Sequence, residues 1–183
     1  MGHGDVVTLL LTAPPYVLAV ITTFLNSWHA DRTGERYLHI VLPLIVAMAA
    51  FILAACTTAT GPRYLAMMLM VPGVYSGYVV GLAWISNSLP RPPAKRAAAL
   101  AFINAISNTS SIYASYMYGD SAKPRYVVAM SVNCAMAAMA ILAATVLRLI
   151  LVKLNRKLDQ GIFVEGAING VPEAGKQGFR FRI

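Results

Sequence analysis

Five stretches of this 183-residue chain contain no Asp, Glu, Lys or Arg: Val6–Trp28, Ile40–Pro62, Tyr64–Pro90, Ala97–Gly119 and Tyr126–Leu147. Each reaches the roughly 20 apolar residues that cross a bilayer core as a helix. Hydrocarbon offers no partner to backbone N–H and C=O groups, so each run must satisfy its own, and a helix does so. The reading is an all-α polytopic membrane protein with five crossings. A soluble domain carries about 25% charged residues; here the share is 12%, against 58% hydrophobic. Lipid is therefore the first expected partner. The formal charge of +8 could suggest nucleic acid. The cations instead fall between the runs and in the tail, with no basic stripe among exposed aromatics, which argues against it.

The start, Met1–Asp5, has no Lys or Arg and lacks the positive region of a secretory signal. Residues 1–147 form the span region, and 148–183 read as a basic tail. That tail continues the last helix, then turns polar and Gly-rich, and is expected to be solvated. Pro14 and Pro15 are expected to kink or break the first helix, with Pro43 and Pro72 acting alike in the next two. Cys56 and Cys134 read as two buried free thiols.

Sidedness follows from Lys and Arg. Arg32, Arg36, Arg91, Lys95, Arg96 and the seven cations of the tail lie on one side, twelve of the fifteen. Arg63, Lys123 and Arg125 lie on the other. The richer side is expected to be cytoplasmic, leaving the N-terminus extracellular.

Three patterns stand out. Asp31, Arg32, Gly34 and Arg36 form a short charged loop between the first two runs. Gly34 suits a positive φ there, and Asp31 could cap the next helix. An ordinary inter-helix loop would look the same. Gly73, Gly77 and Gly81 repeat every fourth residue, which puts them on one helix face where a neighbouring backbone can approach. Trp84 falls near that face and Asn87 follows it. Static helix packing is the first reading of these glycines, and a sliding seam is the alternative. Asn104, Ser107, Asn108, Ser111 and Ser115 fall within an arc of about 100°. Amides facing lipid are costly, so this stripe should face protein or water, as helix glue or as the lining of an aqueous path. No carboxylate pair or metal-ligand spacing occurs, so neither an enzyme site nor a cofactor is expected.

The loop resembles the Asp-Arg-x-Gly-x-Arg gating motif of the major facilitator superfamily (MFS), with Ser27 and Glu35 where that motif has glycine and a basic residue. Gly81-Leu-Ala-Trp-Ile-Ser-Asn87, Lys95-Arg-Ala-Ala-Ala99, Ser110-Ser-Ile-Tyr-Ala-Ser-Tyr-Met-Tyr118, Pro124-Arg-Tyr126 and Leu154-Asn-Arg-Lys157 narrow the likeness. Together they are similar to the fungal allantoate permease branch, among the anion:cation symporters. The resemblance covers nearly the whole chain and aligns its runs with spans eight to twelve, the C-terminal half less its first span and without the first half. It implies proton-coupled secondary transport of a small organic anion such as allantoate, pantothenate or nicotinate at the plasma membrane. Trp84, Asn87 and the Asn104–Ser115 stripe would then border the substrate path. Another transporter half, or a second copy of the chain, would be the protein partner. A transport-dead fragment that at most binds another membrane protein is the alternative.

Overall fold

The uncharged runs become helices, and the turn chemistry between them sets where each starts and stops. The structure, a computed structural model, describes residues 5–89, 92–119, 125–162, 164 and 180–182; the side chains of residues 5–8 and of Ser115 lie outside that description. Within it the chain forms α1 (Asp5–Thr33), α2 (Tyr37–Cys56), α3 (Thr60–Ser88), α4 (Pro93–Met117) and α5 (Val127–Asp159). Four of them, α1, α2, α3 and α5, are long and apolar enough to cross a membrane. The remaining helix, α4, is as long as a span, but Asn104 and the Ser107–Ser111 run dilute its apolar character.

Several boundaries differ from those expected. Asp31 and Arg32 belong to the last turn of α1, so the loop is only Gly34–Arg36. Gly34 ends α1 with φ +72, and its N–H donates to the Ala30 carbonyl at 3.0 Å. A left-handed residue closing a helix in this way is a standard stop, and glycine carries it without strain. Asp31 does not cap α2, whose N-cap is Arg36 without a side-chain hydrogen bond. It pairs with Arg36 instead. Pro62 does not end α2. The turn comes earlier, at Thr57–Ala59, where the Thr57 hydroxyl accepts from Ala59 N–H at 3.3 Å. Gly61 and Pro62 then sit in the first turn of α3, where proline's missing N–H has no partner to lose.

None of the internal prolines breaks its helix. Pro14 and Pro15 lie within one continuous α1, and Pro43 and Pro72 within α2 and α3. Neighbouring helices and hydroxyls take up freed backbone groups in membranes. Cys56 is exposed at the end of α2 rather than buried, Cys134 is half-buried, and both are free thiols.

The core is α2 against α3, with α1 packed on α3 and α5 on α2. Between membrane helices the hydrophobic effect offers little, so close backbone approach and polar bridges must hold them. A Cβ on Gly73 would lie 2.6 Å from the Pro43 carbonyl oxygen and 3.0 Å from the Ala47 Cβ. One on Gly77 would meet Leu44 Cγ at 3.2 Å. Gly81, a turn further on, has open space. At the Arg36 end, Arg148 lies 4.4 Å over the Tyr37 ring and 3.8 Å from Glu35, and Tyr37 Oη is 3.1 Å from Thr145 Oγ1. These contacts tie α5 to the start of α2. Helix α4 packs sparsely, chiefly on α3 and α5.

Candidate solute site

The sparse packing of α4 leaves a cleft of about 600 Å³ between α2, α3, α4 and α5. Ile40, Leu44 and Phe51 form its α2 wall. Gly77, Gly81 and Trp84 contribute from α3, and Ala137, Ala140 and Ala144 from α5. The small residues make the room: Gly81 has no side chain to fill it, and the alanines keep α5 low. Ile103 is the α4 contribution. None of the lining side chains is charged.

Two polar side chains enter this apolar surface, and both reach toward α4. Tyr78 Oη donates to Asn104 Oδ1 at 3.1 Å. Asn133 Nδ2 donates to Tyr118 Oη at 2.8 Å. Trp84 is 1% exposed, and its indole N–H is spent on the Arg182 carbonyl at 2.9 Å. It therefore offers the cleft an apolar ring face. Such a surface can hold the carbon body of a small solute and place hydrogen-bonding groups at its α4 edge. It holds no charge of its own to neutralise an ion.

Of the residues singled out in the sequence, Trp84, Gly77 and Gly81 line the cleft, and Asn104 borders it through Tyr78. Gly73 lies against α2 instead. Asn87 is exposed near the end of α3. Ser107, Asn108 and Ser111 are exposed along α4, with Asn108 Nδ2 donating back to the Asn104 carbonyl at 2.9 Å. Ser115 lies in α4, its side chain outside the described residues. Sequence reasoning missed Tyr78, Asn133 and the α5 alanines. The alanines carried a signal, since 137, 140 and 144 recur at helical spacing. Tyr78 and Asn133 carried none without their partners.

The charged loop stands apart from the cleft. Arg36 is 4% exposed and ion-paired to Asp31, whose side chain faces out. The Arg36 Nε is buried with no hydrogen-bond partner among the described residues. Arg32 lies outside, 5.5 Å from the Trp28 ring. Beside this loop, His29 Nδ1 and His39 Nε2 are 2.6 Å apart.

An uncharacterized transporter of Schizosaccharomyces pombe is 25% identical to this chain over 160 residues, 87% of this chain and 32% of that protein. The MFS transporter prlL of a fungal species is 28% identical over 174 residues, 93% of this chain and 34% of that protein. Its relatives are MFS-type transporters. The high-affinity nicotinic acid transporter of Saccharomyces cerevisiae is a further one, 26% identical over 147 residues, 74% of this chain and 25% of that protein. The chain spans about a quarter to a third of the length of these curated relatives. No protein-family model matches the chain, and no solved structure matches it. The all-α architecture with its apolar spans is a partial MFS-like polytopic fold, integral to a membrane.

Proposed function

We propose that the chain is part of a secondary transporter for a small organic acid of the nicotinate type, on the allantoate-permease side of the superfamily. The observation that carries this reading is the junction of the apolar cleft with the amide stripe of α4, at the Tyr78–Asn104 hydrogen bond. The cleft suits an aromatic or aliphatic body. The amides of Asn104 and Asn108 suit a carboxylate, because they donate without forcing a fixed charge into the membrane. The nicotinic acid transporter among the relatives supports the solute class. No lining side chain is charged, so the reading assigns proton coupling to groups outside this cleft. The test is Asn108→Ala in the whole transporter. Uptake should lose preference for nicotinate over its neutral amide, by about tenfold for one lost charge-assisted hydrogen bond, at unchanged protein abundance. A fall in abundance with the preference intact would remove Asn108 from the path.

The same reading places the Asp31–Arg36 loop and the α3–α4 connection in the cytoplasm, with the α2–α3 turn outside the plasma membrane. The distribution of Lys and Arg supports it. In a background with Cys56 and Cys134 replaced by Ser, a membrane-impermeant maleimide on intact cells should label Thr58→Cys and spare Lys95→Cys. The opposite pattern would invert the topology.

A further inference from the structure

Residues 180–182 return to α3 and α5 beside the cleft. Asn155, buried in α5, reads both backbone groups of Phe181: its Nδ2 donates to the Phe181 carbonyl, and its Oδ1 accepts from Phe181 N–H, each at 2.9 Å. The amide thus spends a donor and an acceptor on one residue, as a neighbouring strand would. The Phe181 ring is buried in the cluster that holds Trp84 and Leu151. Arg180 Nη2 lies 2.8 Å from Asp159 Oδ1, and the Arg182 carbonyl accepts the Trp84 indole N–H. The expectation of a solvated tail does not hold for these residues.

We propose that Trp84, Asn155 and Asp159 form a peptide-docking site whose ligand is the chain's own Arg180-Phe181-Arg182 segment, and that its occupation sets the position of the Trp84 wall of the cleft. Recognition has three parts: a ring in an apolar pocket, a backbone read by an amide, and a cation on a carboxylate. The coupling follows from the indole, which has one N–H and no acceptor. Trp84 is almost fully buried while it lines the cleft. Release of the segment removes both the acceptor of that N–H and the Phe181 ring from the cluster around Trp84, so the contacts that hold the present orientation are lost. The ring is then free to turn, and the cleft wall turns with it. Release leaves the helices intact, because the segment lies outside all five. Its ion pair is largely exposed, so salt weakens it. The inference does not depend on which solute is carried.

The test uses the full chain in detergent with Trp28→Phe. The chain has two tryptophans, so Trp84 becomes the sole indole. Trypsin cleavage at Arg180–Phe181 reports release, since proteolysis tracks the open population when reclosing is fast. Asn155→Ala should speed this cut about tenfold or more, as two hydrogen bonds are lost, and should raise acrylamide quenching of Trp84. Phe181→Ala should do the same at its Arg180–Ala bond. Helical content is read by circular dichroism. Where Asn155→Ala loses helix, Phe181→Ala decides, because the substituted residue lies outside the helices. Cleavage of the parent at the variants' rate would overturn the docking. Faster cleavage with unchanged quenching in Phe181→Ala would overturn the coupling to the cleft.

Discussion

Gly73→Ala is expected to lower the thermal unfolding midpoint of the detergent-solubilised chain by about 2–10 °C, on a cost of about 1–3 kcal/mol for overpacking. The added methyl would sit 2.6 Å from the Pro43 carbonyl oxygen, a separation no carbon and oxygen hold without bonding. The obstacle is backbone, so no rotamer change can clear it, and α2 and α3 must separate. Ala47, one turn on in α2, crowds the same methyl, with its Cβ at 3.0 Å and its N at 3.2 Å. Gly77→Leu should also destabilise, but more mildly per atom, because Leu44 is a side chain and can partly yield. Gly81→Ala is the internal control: its Cβ enters open space, and the midpoint should not fall. An unchanged midpoint for Gly73→Ala would mean that α2 and α3 are not in backbone contact there.

The contrast among those glycines shows what a sequence discloses. A spacing of four puts all three on one face of α3, and that much is readable. Two packed helices cross at an angle and diverge, so the third glycine, eight residues or about 12 Å from the first, leaves the contact and opens the cleft. Only the crossing geometry separates a packing glycine from one that makes room. The same limit governs boundaries. The uncharged runs disclosed the helices, because hydrocarbon permits little else. Pro62 reads as a stop signal, yet it fits equally in a first turn, and local chemistry does not choose between them. Asp31 reads as loop, but the glycine three residues on lets the helix continue through it. Least legible was the tail. Asn155 and Phe181 are distant in sequence and neither belongs to a periodic pattern, so their pairing exists only once the chain is folded. The α4 stripe was visible at once, whereas its sparse contacts with α3 and α5, which create the cleft, were not.

The purified 183-residue chain, reconstituted into liposomes under a pH gradient, is expected to give no saturable uptake of nicotinate, pantothenate or allantoate above protein-free vesicles. A carrier must expose one site alternately by moving one unit against another. The chain covers about a quarter to a third of its transporter relatives, and its helices form one unit around the α2–α3 seam. The cleft beside that seam is walled on its fourth side by α4 alone, through Ile103 and two hydrogen bonds. Asn104, Ser107 and Asn108 stay exposed on that helix, and exposed amides in hydrocarbon demand a covering surface. No lining residue carries a charge that could take up a proton or oppose an anion as the gradient acts. Solute could enter such a cleft by partition, but partition is not saturable at a gradient-dependent level. The whole transporter, assayed beside it, should show both saturation and dependence on the gradient. Saturable, gradient-driven uptake by the 183-residue chain alone would show that these five helices, singly or as paired copies, already contain both the moving unit and the coupling group.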